Sequence, residues 1–306
     1  MSNSVAWYMD ATATYTIPAR PLTWLITGCS SGFGLALARV VRAQGHRVIA
    51  SSRNPAKTPE LVAEFSADNH RWETLDIDNP DCGSLIKKLE EQDDVHVDVL
   101  VNNAGWALYG AAEHFTEDEV KRQFETLLFA PFRLTRAVMP YMRARKFGIV
   151  VNISSASSLA AIPAMSIYGG AKAALDAVMK TFAVEVKDFN VRMLNVNPGT
   201  FDTGMTHQLQ YQAAEVDPAY NEVNTGKMLA LMKSGQGDLR GDVAKGVQAM
   251  YDVIMGVGPG EGHLNEKHLP LGLGAAYFVS QQAAAAQSTL AAFGELAKSC
   301  DKPPKA

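Results

Sequence analysis

The sequence predicts an α/β fold in three layers: a doubly wound parallel sheet covered by helices on both faces. Three observations carry this expectation. Short apolar runs alternate with helical patterns, the first run feeds a glycine-rich turn that opens a helix, and no linker-like stretch divides the 306 residues. Strands buried on both faces read as continuous apolar segments, and strand–helix–strand repetition stacks them in parallel. One domain, residues 22–272, is expected.

The elements follow in order. Residues 1–21 mix Ser, Thr, Ala and aromatics without the basic start and apolar core of a secretory leader, so they read as an extension, loose or packed on the domain. Leu22 to Thr27 and Arg47 to Ser51 are the first two strands. Between them, Gly34 to Gln44 has helical periodicity and stops at Gly45. Further strands are expected at Trp72–Leu75, Val97–Asn102, Gly148–Ile153 and Val191–Val196. Long helical patterns run from Glu117 to Lys146 and from Tyr168 to Phe189. Residues 201–241 are polar and Met-rich (Met205, Met228, Met232), which suits a substrate lid. Residues 273–306 read as an Ala-rich helix with a basic tail.

Composition excludes some functions. Hydrophobic residues make up 47% and charged residues 20%, a soluble globular balance. A net charge of −4, from 28 basic and 32 acidic residues, offers no basic face for nucleic acid. No apolar run reaches the roughly 18 residues a membrane span needs. Three scattered cysteines (Cys29, Cys82, Cys300) form neither a disulfide framework nor a metal site, which points to a reducing, cytoplasmic setting without a metal.

The chemistry starts at Thr27-Gly28-Cys29-Ser30-Ser31-Gly32-Phe33-Gly34. Glycines here allow a sharp turn, close approach of a phosphate to backbone, and tight helix–strand packing. The helix N-terminus then offers free N–H groups to an anion. This turn is the expected dinucleotide site of a Rossmann-type sheet. Cys29, inside the turn, reads as a small packing residue. About 20 residues on, the second strand ends at Ser51-Ser52-Arg53, where a carboxylate would accept from an NAD ribose. Arg53 suits a 2′-phosphate instead, so NADP(H) is preferred over NAD(H). Asn103, Ala104 and Gly105, closing the fourth strand, are small enough to line the cofactor crevice. Tyr168 and Lys172 project one turn apart from a single helix face, and Ser155 follows the strand ending at Ile153.

Taken together, these segments resemble the short-chain dehydrogenase/reductase family over roughly residues 22–205. The resemblance rests on residues 27–34, Leu75-Asp76-Ile77, Asn102 to Gly105, Ser155, Tyr168-Gly169-Gly170-Ala171-Lys172, and Asn197-Pro198-Gly199 with Thr203. Gly28 to Gly32, Arg53 and Leu269-Pro270-Leu271-Gly272 resemble the hydroxysteroid and retinol dehydrogenase branch. The resemblance implies that Tyr168 exchanges the proton with the substrate oxygen, that Ser155 holds that oxygen, and that Lys172 binds the nicotinamide ribose and lowers the tyrosine pKa. It also implies that Asp76 and Ile77 flank the adenine, and that Pro198, Gly199, Phe201 and Thr203 hold the nicotinamide side.

One position departs from the family. Leu127 stands where relatives carry an asparagine that helps hold a proton-relay water, and leucine cannot hydrogen-bond. Restoring Leu127→Asn is expected to raise turnover without changing cofactor affinity. Trp106, Leu108, Tyr109, Ile162 to Met165 and Met205 are expected pocket walls, apolar enough for a lipophilic ketone, aldehyde or alcohol. The expected function is NADPH-dependent carbonyl–alcohol interconversion. The alternatives are a redox-impaired NADPH-binding protein and a cyclase or isomerase on the same fold. A homodimer or homotetramer paired through the helical stretches 117–146 and 168–189 is expected.

Overall fold

The computed structural model describes residues 13–67, 69–203, 209–235 and 240–302. The elements run β1 (Thr23–Ile26), α1 (Gly32–Ala43), β2 (Arg47–Ser52), α2 (Pro59–Glu64), β3 (Arg71–Thr74), α3 (Ser84–Glu91), β4 (Val99–Asn102) and β5 (Leu108–Tyr109). Then come α4 (Glu117–Phe124), a π turn (Glu125–Phe129), α5 (Ala130–Ala144), β6 (Gly148–Ile153), α6 (Ser166–Val186), β7 (Val191–Pro198), β8 (Gln210–Tyr211), α7 (Asn224–Ser234), α8 (Val243–Met255), β9 (His268–Leu271) and α9 (Leu273–Ser299). Among the described residues, seven strands form one sheet in the order β3-β2-β1-β4-β6-β7-β9, with every pairing parallel. The strand order reverses between β1 and β4, the crevice where such sheets take ligands.

Side-chain alternation splits the interior into two cores. Trp24, Ile26, Val99 and Val101 face α1 and α8, whose Leu37, Val41, Val247 and Met250 pack on them. Leu25, Leu100 and Val150 point the other way, against Ile86 of α3, Leu134 and Val138 of α5 and Leu175 of α6. A row of buried asparagines crosses the sheet. Asn102 donates to Asn152 (2.9 Å), Asn152 to Asn195 (3.0 Å), and Asn195 to the Asp176 carbonyl of α6 (3.3 Å). These three residues are register partners on β4, β6 and β7, so the row fixes where α6 sits along the sheet.

The described part of the N-terminal extension is packed. Arg20 forms a bidentate pair with buried Asp98 (2.8 and 2.9 Å), and Thr16 exchanges hydrogen bonds with Asn190. The expected helix over 117–146 is two α segments joined by the π turn, which inserts an extra residue beside Leu127. The 201–241 segment carries structure of its own. β8 pairs with β5, Gln212 accepts from Ala111 N–H (2.7 Å), Glu119 accepts from Ala213 N–H (2.7 Å), and α7 follows. Met205 lies outside the described residues.

The Ala-rich helix forms as α9, yet only Ala275 of it is buried, and Leu290, Phe293 and Leu296 are exposed. Among the described residues no helix is long and apolar enough to cross a membrane.

Candidate active site

The glycine turn leaves the end of β1 beside the end of β4. Gly28 has φ +72°, and a Cβ there would stand 2.8 Å from the Ala104 backbone. A Cβ on Gly34 would meet the Asn103 amide at 2.4 Å, so α1 can press against the β4 end only because the residue is glycine. Asn103 donates to the Thr27 (2.8 Å) and Gly28 (3.1 Å) carbonyls, while the Thr27 hydroxyl accepts from Asn103 and Ala104 N–H. The Asn103 side chain thus fixes the loop. Ser31 caps α1 without a side-chain hydrogen bond, so the first N–H groups after Gly32 remain open to an anion. Cys29 is fully buried, its thiol pushed up to about 12 by desolvation and donated to the Ile26 carbonyl. It packs.

Arg53 is exposed immediately beyond β2. Ser52 beside it accepts from the Trp72 indole (3.1 Å). Asp76 is exposed after β3 and accepts from Asp78 N–H, with Ile77 buried next to it. On the far side of the crevice Pro198 ends β7, and Gly199 N–H donates to Leu271. Phe201 and Phe33 stack edge to face at 5.0 Å over Gly246 of α8, so these two expected cofactor contacts also pack on each other. Thr203 is half-buried.

Ser155, Tyr168 and Lys172 converge. Ser155 follows β6 in extended conformation, and its hydroxyl accepts from Ser157 N–H (3.1 Å) and Oγ (2.9 Å). It also stands close enough to the Tyr168 phenol to lower that group's pKa. Gly169 makes this approach possible: a Cβ there would meet the Ser157 carbonyl at 2.8 Å. Tyr168 is 4% exposed; burial raises its pKa above the usual tyrosine value, and the neighbouring Ser155 hydroxyl works against that rise. Lys172 is 6% exposed and donates to the Ile153 carbonyl (2.6 Å). Burial pushes its ammonium down to about 8, opposed by the Asp176 charge.

Around Tyr168 lies a third apolar cluster of Ala107, Tyr109, Leu127, Ala164, Ala171 and Leu229, with Met165, Tyr211, Met228 and Met232 packed against it. Tyr109 and Met165 pack in this cluster around Tyr168. Trp106 turns elsewhere, donating to Thr126 (3.0 Å) beneath the Arg122 guanidinium. Leu127 is 1% exposed and faces Gly105, where a Cβ would sit 2.9 Å from its Cδ2 and 4.0 Å from Lys172 Nζ. Leu229 and Tyr211 were missed, because a lone apolar residue in a polar segment gives no sign of which way it faces. Asp176 was also missed, although it stands one turn beyond Lys172.

A parallel sheet with a glycine turn at its reversal point and a Tyr–Lys helix alongside is the frame of a dinucleotide-dependent oxidoreductase. The chain belongs to the short-chain dehydrogenase family, whose model, described as short chain dehydrogenase, matches residues 23–214. It is 38% identical to oxidoreductase claN of Passalora fulva over 205 residues, 67% of this chain and 90% of that one. It is 33% identical to retinol dehydrogenase 8 of Bos taurus over 203 residues, 64% of either chain. Its structure resembles that of a short-chain dehydrogenase from Streptomyces avermitilis, with TM-score 0.80 and 32% identity, covering 93% of this chain and all of the other.

Proposed function

We propose that the protein interconverts a ketone or aldehyde and an alcohol on a hydrophobic small molecule, with NADP(H) as cofactor. The observation that supports this most is the approach of Ser155 to the buried Tyr168 phenol, with Lys172 one turn along the same helix, at the carboxyl ends of the strands and among apolar side chains. The backbone fits a dinucleotide: Gly28 and Gly34 let the turn and α1 pack tightly against the end of β4, and the α1 N-terminus lies open. Residues 28 and 30–34 would hold the pyrophosphate, Arg53 the 2′-phosphate, Asp76 and Ile77 the adenine edge, and Asn103 to Gly105 the crevice floor. Pro198, Gly199, Phe201 and Thr203 would border the nicotinamide.

When bound, that cofactor supplies or accepts the hydride. Ser155 would hold the carbonyl oxygen by hydrogen bond, and Tyr168 would donate its phenolic proton to that oxygen or take it back. The phenol needs help, since burial raises its pKa and a free phenol already titrates near 10. Lys172, as an ammonium, supplies positive charge on the same helix face. Tyr109, Met165 and Met228 would shed water from a lipophilic substrate. Arg53, standing where a carboxylate would favour NAD, supports the NADP preference. A homodimer or homotetramer and a cytoplasmic setting belong to this reading, the latter supported by three free thiols.

The test is NADPH consumption against a panel of hydrophobic ketones and aldehydes, beside thermal shifts with NADPH and NADH. Turnover on one or more lipophilic carbonyls and a larger shift with NADPH are expected. Binding of NADPH without turnover of any would replace this reading with the redox-impaired binding protein.

A further inference from the structure

We propose that Asp176 is a positioning residue for Ser155, Tyr168 and Lys172, clamping their helix to the serine turn and setting a buried negative charge one turn from the lysine. The inference rests on the roles proposed above for Tyr168 and Lys172. Residues 168, 172 and 176 recur every four positions along α6 and share one face. Asp176 is buried, and its Oδ2 accepts from Ser158 Oγ at 2.6 Å and from Asn197 Nδ2 at 2.9 Å. Ser158 in turn is bound to Ser155: its N–H and its hydroxyl both approach the Ser155 carbonyl, at 3.1 and 2.7 Å. The hydroxyl has one proton and two acceptors in reach, and a charged acceptor holds it more strongly than a carbonyl. Asn197 closes the network, reaching Ser158 Oγ at 2.9 Å and the Ser155 carbonyl at 3.3 Å.

The second oxygen, Asp176 Oδ1, is buried without a hydrogen-bond partner. A carboxylate so placed costs stability unless a cation compensates it. Lys172, one turn back on the same helix face, is the cation that can compensate it: its ammonium loses favour through burial and regains part of it from Asp176. A clamp alone would need no charge, because asparagine accepts the same two hydrogen bonds. Among the described residues, Tyr168 stands on the same helix, Tyr109 acts on Tyr168 from the segment after β4, and His268 of β9 lies beyond Asn197. His268 reaches the carboxylate only through Asn197, whose Oδ1 lies 3.1 Å from its Nδ1.

The experiment is a ¹³C NMR titration of lysine Cε in the cofactor-free protein, with Lys172 assigned by the signal lost in Lys172→Arg. The parent midpoint should fall near 8. Asp176→Asn should lower it by about one to two units, the effect of removing one charge a helical turn away at an intermediate dielectric. Asp176→Ser is the second charge-free variant, should the amide disturb folding. Ser158→Ala removes a hydrogen bond and no charge, and should leave the midpoint in place. An unmoved midpoint in the Asp176 variants, or an equal shift in Ser158→Ala, overturns the proposal. Turnover surviving in Tyr168→Phe would instead sink the redox reading, leaving the lysine titration to report on Asp176 alone.

Discussion

At the scale of single residues, the buried lysine carries a stability consequence. Its pKa falls from the ordinary 10.5 to about 8 in the folded chain. Between those values the unfolded chain holds the extra proton, so stability rises with pH through that window. Below pH 8 the cost of burying the ammonium is constant. Melting temperature should therefore climb between pH 8 and 10 in the parent and stay flatter in Lys172→Met. Parallel curves would show that the amine is not held as described. Leu127 sets a second test. It fills an apolar site between Gly105 and the Tyr168 cluster, so Leu127→Asn places an amide there. The variant should lose about 2–4 kcal/mol of stability by denaturant titration, while its folded fraction turns over faster. A stable variant would mean that the pocket already admits water.

At the scale of elements, the two adjacent glycines of α6 separate packing from propensity. Gly169 lies against the Ser157 carbonyl, whereas a Cβ on Gly170 meets nothing within 4 Å. Gly170→Ala should stabilise the chain by roughly 0.5–1 kcal/mol. Gly169→Ala should destabilise it, forcing the helix away from the serine turn and lowering turnover with it. Equal effects on thermal denaturation would contradict the close approach. Beyond Ala275, α9 packs little apolar surface on the rest of the chain, so a chain ending at residue 280 should keep its melting temperature within a few degrees.

Much of this was legible in the sequence. Gly148 to Ile153 is a strand with the expected bounds, and the glycine turn lies between strand and helix as its spacing required. β9 escaped because four residues containing a proline, three of them only half-buried, give little strand signal, and an edge strand is where proline is tolerated. The π turn escaped because an inserted residue barely disturbs apolar periodicity. The Asp176 clamp depends on Ser158 and Asn197, side chains brought together from separate elements, which spacing along the chain does not reveal.

At the scale of the whole molecule, the sheet brings together the two halves of the proposed site: a glycine turn and Arg53 on one side of the strand-order reversal, and the Ser155–Tyr168–Lys172 group on the other. A ligand spanning both should stabilise the entire fold, by about 2.7 kcal/mol at a concentration one hundred times its Kd. Arg53→Asp should reverse the order of the NADPH and NADH thermal shifts, since a carboxylate repels a 2′-phosphate and accepts from a ribose hydroxyl. An unchanged order would remove Arg53 from cofactor choice. The most direct measurement is turnover of Tyr168→Phe on a ketone that the parent reduces, with NADPH affinity measured alongside. A loss of about 10²–10⁴-fold in kcat with NADPH affinity retained is expected; a phenylalanine variant that reduces the ketone as fast as the parent would contradict the proton-donor role of Tyr168.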